Sequence, residues 1–167
     1  MTGTIASAPR DGARGFAAVR RCLDEWRVEY KIGRHEPTDS AFAEARAYGA
    51  PAQRMVKTVG LKTAAGYVSV ALPASERVAM VSVRQLLDDS SARLATEQEL
   101  AQSFPRLEAG ALPPFGDIAP RLELVDRRVL ACNWVLVNGG DRRHSLRVSP
   151  LEIVRLARAR VVDISLA

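Results

Sequence analysis

Two cysteines, two histidines and three lysines are all that the 167 residues contain of these types. Cys22 and Cys132 are too few and too isolated for a disulfide framework or a cysteine zinc site, and both read as small apolar packing residues. His35 and His144 lie far apart in sequence, and no His-x-x-x-His or Cys-x-x-Cys spacing occurs. The expectation is therefore no metal and no cofactor. No apolar run approaches the roughly 20 residues that cross a bilayer. The stretch Met1–Gly15 lacks the apolar centre of a secretory signal. A short flexible leader (residues 1–15) followed by one cytoplasmic domain (residues 16–167), without a membrane partner, is the organisation these absences leave.

Three catalytic signatures are missing as well: Gly-x-Ser-x-Gly, a Walker lysine loop and a dinucleotide glycine fingerprint. Two histidines without an evident partner do not make a triad. A hydrolase built from this chain would have to position and polarise a substrate that water attacks.

What is present is an ordinary globular mixture, 47 % hydrophobic and 26 % charged, of a length that suits one domain. The net charge of +5 and pI near 9.8 favour polyanionic partners such as RNA. The positive residues are spread along the chain, with no basic tail. Arginine supplies nearly all of them. The lysines are Lys31, Lys57 and Lys62, and a lysine in such a chain can mark a place that needs a compact ammonium group.

Apolar spacing predicts a first helix over Gly15–Arg27 on Phe16, Val19, Leu23 and Trp26. A strand follows at Val28–Ile32, then a helix at Ala41–Tyr48 with caps at Thr38–Ser40 and a stop at Gly49. Met55–Leu61 and Gly66–Leu72 read as paired strands, and Val81–Leu87 as a short helix. Ala92–Leu94 is a brief extended piece. Thr96 with Glu99 is a capping box opening a helix to Phe104. Leu122–Val125, Trp134–Val137 and Leu146–Val148 are further strands. A helix over Leu151–Ala159 starts at Ser149-Pro150, and Val161–Ile164 forms a last edge strand. The interspersed order predicts a mixed α/β layer fold.

Two segments invite chemistry. Alternation puts Met55, Lys57, Val59 and Leu61 on one face of their strand. Lys57 among apolar neighbours either snorkels to solvent or waits in a pocket for a phosphate or carbonyl. The loop Gly110-Ala111-Leu112-Pro113-Pro114-Phe115-Gly116 is either a rigid corner or a frame aiming backbone N–H groups, at Gly110 or Ala111, toward an oxyanion. Asn138-Gly139-Gly140 is likewise either a hairpin turn or the wall of a ligand site.

Taken in order, several pieces resemble the YbaK and prolyl-tRNA-synthetase-associated editing family. They are Tyr30 with His35-Glu36-Pro37, Ala45–Gly49, Val56-Lys57-Thr58, Leu72-Pro73-Ala74 and Leu94–Leu100. Gly110–Gly116, Val125-Asp126, Asn138-Gly139-Gly140 and Val162-Asp163-Ile164 complete the series. The resemblance implies a curved mixed sheet flanked by helices. It also implies hydrolysis of an amino acid mis-attached to tRNA, with the acceptor end of aminoacyl-tRNA as partner and a synthetase as a second candidate. The protein would work as a monomer or weak homodimer. By this resemblance Lys57, Gly110 and Ala111 are the catalytic set. Ser40, Thr58, Pro114, Phe115, Asn138, Gly139 and Ser145 are the substrate-binding set. The chain departs from the family pattern at Ser40, Ala111, Gly140-Asp141-Arg142 and Ser145. Those departures leave a second reading, a catalytically degenerate module of the same fold that binds aminoacyl-tRNA or a nucleotide.

Overall fold

Helical and strand periods alternate along the chain, and the elements follow them closely. The computed structural model describes residues 11–166, with side chains from residue 14 onward; most of the expected leader thus lies outside the described residues. The order is α1 (Asp11–Glu25), β1 (Lys31–Arg34), α2 (Ala41–Tyr48), β2 (Val56–Thr63), β3 (Gly66–Pro73), β4 (Arg77–Val78), α3 (Met80–Leu87), β5 (Arg93–Leu94) and α4 (Glu97–Ser103). It continues with β6 (Arg121–Asp126), β7 (Val135–Asn138), β8 (His144–Val148), α5 (Pro150–Ala157), β9 (Arg160–Val162) and β10 (Ser165–Leu166). Short 3-10 turns lie at Ala52–Arg54 and Arg127–Ala131.

Five strands form a mixed sheet in the order β5-β2-β3-β6-β9, and β1-β8-β7 form a second, antiparallel sheet. A parallel bridge between Met55 and Leu136 joins them. The helices cover both faces of the larger sheet. Phe16, Val19 and Leu23 of α1 and Ile153 of α5 pack with Val56, Ala71 and Val125 on one side. Val83 of α3 and Ile164 pack with Leu61, Val70 and Leu124 on the other.

β6 holds an irregularity that alternation does not reveal. Ser69 pairs with Leu122 but Val70 with Leu124, so Glu123 is an extra residue. This bulge lets Leu122 and Val125, three apart, face the same core.

Local chemistry explains several boundaries. Ser40 caps α2 by accepting from the Ala43 N–H at 3.1 Å, and Gly49 ends it with φ +85°. The Thr96–Glu99 capping box is complete. Other expectations shift. α1 ends at Glu25 because Arg27 takes a left-handed turn (φ 55°), and Trp26, expected on the buried face, is 53 % exposed. Val28 is a core residue ahead of β1 rather than part of a strand. α5 stops at Ala157, since Arg158 turns left-handed.

Candidate active site

β2 is incompletely paired along one edge. On the side away from β3, β7 meets it at Met55 and β5 at Leu61–Lys62. No described strand covers the residues between. There the loop that follows α4 closes over it, and a cleft of about 270 Å³ forms between Thr58 and Gly60 of β2, Leu100 and Phe104 at α4, and Glu108–Leu112. Gly60 packs closely here, since a Cβ there would sit 2.9 Å from both Leu100 methyls and oblige that side chain to move. The walls are mainly apolar. Thr58 is the exception, since its Oγ1 is buried without a hydrogen-bond partner, a state that costs free energy unless a ligand satisfies it.

The segment 104–120 carries no helix or strand, yet it is anchored. Ala111, Phe115 and Ile118 are buried. Gly110 is exposed at φ +78° with open space around its missing Cβ; the backbone angle, not crowding, demands glycine. The Ala111 N–H donates to the Glu108 carbonyl at 3.0 Å. Ala111 therefore has no N–H to spare for an oxyanion, which corrects the expectation for that residue. Among the described residues nothing accepts from the Gly110 N–H.

The loop's far end serves another surface. Pro114, Phe115 and Gly116 line a larger groove, about 740 Å³, against Cys22 and Trp26 beside α1. Two of the arginines there face carboxylates: Arg106 lies 4.0 Å from Asp117 and Arg121 3.3 Å from Glu123. Volume favours this groove, but none of its lining residues has a buried polar side-chain atom without a partner, whereas Thr58 of the smaller cleft does.

Lys57 stands on the face of β2 opposite Thr58 and does not line the cleft. It is half-buried and makes no ion pair with the described residues. Burial lowers its pKa below the usual lysine range, with Glu76 opposing and Arg77 adding to the effect. Glu76 is turned toward Arg128, whose Nη1 is 3.4 Å away, though Glu76 Oε2 has no aligned hydrogen bond.

A second polar cluster lies between α2 and the β1-β8-β7 sheet. Ser145 Oγ donates to Glu44 Oε1 at 2.5 Å and stands 2.9 Å from His35 Nε2. Asn138 Nδ2 donates to Glu44 Oε2 at 3.3 Å and to the Asp141 carbonyl at 3.1 Å. Glu44, Asn138 and Ser145 are all buried. Burial raises the Glu44 pKa above the usual carboxylate range, against the hydrogen bonds from Ser145 and Asn138. Gly33 permits the packing, since a Cβ there would collide with the Tyr48 ring at 2.3 Å. Sequence reading passed over Glu44 and left His35 unpaired, because the partners are about a hundred residues apart.

A family model described as "Aminoacyl-tRNA editing domain" matches residues 35–156, well over half of the chain. The chain belongs to this family. No curated protein sequence matches it. Among solved structures, one described as "a putative trans-editing enzyme for prolyl tRNA synthetase" is 22 % identical, with a TM-score of 0.79 over 96 % of this chain and 100 % of that one. Another, "hypothetical protein APE2540", is 25 % identical, with a TM-score of 0.80 over 89 % and 99 %. The mixed α/β architecture is thus that of the editing fold.

Within this editing domain the expected site residues separate into six places, counting Lys57 on the opposite face of β2. Thr58, Gly110 and Ala111 meet at the cleft. Pro114 and Phe115 turn to the α1 groove. Asn138 and Ser145 are held inside the polar cluster. Ser40 is an exposed helix cap. Gly139 and Gly140 form a hairpin turn that α1 crosses closely: a Cβ on Gly15 would lie 2.3 Å from the Gly140 carbonyl oxygen, and the Gly139 N–H is bonded to the His144 carbonyl.

Proposed function

We propose that this editing domain hydrolyses the aminoacyl ester of mischarged tRNA, with the amino-acid end in the cleft between Thr58 and Gly110. The observation that carries this reading is the buried, partnerless Thr58 hydroxyl beside an apolar cleft that is also lined by the exposed Gly110, whose N–H has no acceptor among the described residues. At about 270 Å³ the cleft is just under the roughly 300–1,000 Å³ of drug-sized sites, a scale that suits an amino acid. Water adds to the ester carbonyl, and the Gly110 N–H holds the developing oxyanion. The bond to the ribose oxygen then breaks, that oxygen takes a proton, and free amino acid and uncharged tRNA leave. Lys57, on the face of β2 opposite Thr58, holds a phosphate of the acceptor end rather than the carbonyl.

Deacylation of a panel of mischarged tRNAs tests the reading. Release of amino acid that Thr58→Val and Gly110→Ala both suppress is the expected result; wild-type activity in both variants would remove the cleft from the chemistry. The degenerate binding module is the second reading, favoured by the engaged Ala111 N–H, which leaves a single backbone donor at the rim. Charged tRNA bound for hours with its ester intact would select it.

A further inference from the structure

Away from the cleft, one indole carries two cations. Arg54 Cζ lies 4.2 Å and Arg147 Cζ 4.0 Å from the Trp134 ring centroid. Arg54 is fixed by Nη1 hydrogen bonds to the Trp134 carbonyl (3.0 Å) and to Asn133 Oδ1 (3.2 Å). Lys31 pairs with Arg147 across β1 and β8 and adds a third charge on the same face.

Several arginines among the described residues face carboxylates, as Arg93 does with Glu99, Arg127 with Asp163 and Arg155 with Glu152. Arg54, Arg147 and Lys31 make no ion pair among the described residues. The two guanidinium groups lie within about 8 Å of each other, roughly a Debye length at physiological salt, so their repulsion is only partly screened. The indole face offsets part of it. Phosphates at their outer edges would offset the remainder, and a guanidinium edge matches the geometry of phosphate oxygens.

The position of the cluster extends the site. Arg54 directly precedes Met55, which shares a face of β2 with Lys57, and Met55 bridges to Leu136, two residues beyond Trp134. Leu136 in turn pairs with Arg147, and Arg147 with Lys31, so backbone pairing links the Arg54–Lys57 segment to these two residues.

We propose that Arg54, Arg147 and Lys31, braced on Trp134, bind the phosphodiester backbone of RNA, so that the tRNA arm approaches across the β1-β8-β7 face and enters at Lys57. The direction of approach rests on the deacylase reading; the anion chemistry does not. In the rival path, the groove beside α1, Arg106 and Arg121 already face carboxylates, and Arg21 is the one lining arginine without such a partner among the described residues.

Equilibrium binding of uncharged tRNA to the full chain across a salt series tests this. Arg54→Gln with Arg147→Gln is expected to reduce the slope of log K against log salt by about 2, roughly one for each phosphate no longer neutralised. Arg147→Lys, alone, is expected to keep the slope. Arg21→Gln with Arg121→Gln, in the α1 groove, is expected to change it little. If Arg54→Gln unfolds the turn it braces, Lys31→Gln with Arg147→Gln reads the same charges from β1 and β8. A wild-type slope in these variants, or a slope carried instead by Arg21 and Arg121, overturns the proposal. A chain that deacylates normally but binds tRNA without regard to Arg54 and Arg147 sinks this inference and keeps the deacylase reading. One that binds through them and leaves the ester intact does the reverse.

Discussion

His35 and Ser145 face each other at 2.9 Å, Nε2 to Oγ, while His35 Nδ1 lies 2.8 Å from the Glu36 carbonyl oxygen. A carbonyl only accepts, so Nδ1 carries a hydrogen. If Glu44 is ionised, Ser145 donates to it and His35 Nε2 must donate to Ser145. If Glu44 is protonated, its carboxyl donates to Ser145, which donates to a bare Nε2. The proton of this cluster can therefore sit at either end without any heavy atom moving.

Burial holds the Glu44 pKa above the ordinary glutamate range, and this fixes the sign of a pH effect. The folded chain keeps the proton to higher pH than the unfolded chain does. The contribution to stability is thus fully present below the ordinary glutamate range, and it is lost as pH rises from there through the raised value. The thermal midpoint is expected to fall through that window, and Glu44→Gln is expected to flatten the fall. Melting curves across the window provide the check.

Ser145→Ala should strand Glu44 Oε1 and His35 Nε2, at a cost of about 1–3 kcal/mol for each group left unpaired. Urea unfolding measures it. Since Ser145 is buried rather than aimed at the cleft, the residual folded enzyme should keep its KM for charged tRNA.

Thr58→Val should have little effect on stability, because the hydroxyl it removes has no partner to lose. The same change should reduce deacylation by about ten-fold or more, the worth of one hydrogen bond of about 1.4 kcal/mol made to the reacting ligand. Parallel unfolding and single-turnover measurements separate the two effects.

Gly110→Ala meets open space but a left-handed backbone angle, at a cost of about 1–2 kcal/mol. If the loop relaxes to avoid it, the N–H turns away, and loss of an oxyanion donor lowers kcat by about 100- to 1,000-fold. Asparagine tolerates this region better than alanine, so Gly110→Asn should retain more activity. Equal kcat values for the two variants would dissociate the backbone angle from catalysis.

Lys57 has a pKa lowered chiefly by burial. Here the folded chain releases the proton earlier than the unfolded one, so stability rises with pH between the lowered value and the ordinary lysine range. Binding to tRNA should weaken over the same rise, because the ammonium is lost. Lys57→Ala should raise KM about 10- to 100-fold, as expected for a charge-assisted hydrogen bond of about 1.5–3 kcal/mol, with a smaller change in kcat. A large fall in kcat at constant KM would return Lys57 to the carbonyl.

Most of the helices and the central hairpin were legible because their signals are local. The Ser40 cap, the Gly49 stop and the Thr96–Glu99 box each act over a few neighbouring residues. Lys57 could be placed on a face by counting in twos. The cleft could not, because it depends on Leu100 meeting Gly60 and on a loop closing beside Thr58. The same holds for His35, Glu44 and Ser145, which come from β1's end, α2 and β8. The Glu123 bulge breaks the period itself, so alternation along β6 misassigns one of its faces. Ala111 shows a finer limit: its place in the loop was readable, and the bond to Glu108 that occupies its N–H was not.

Between Met55 and Leu61 no described strand pairs with the outer edge of β2, and only the loop after α4 screens it, which has a consequence for solubility. Unpaired strand backbone is a template on which another molecule's strand can add, and a charged side chain on such a stretch discourages that addition. Lys57 is the charge stationed there. Its replacement by an apolar residue should promote edge-to-edge self-association that scattering detects as concentration rises, and the same lysine would then guard the open edge whenever no tRNA occupies it.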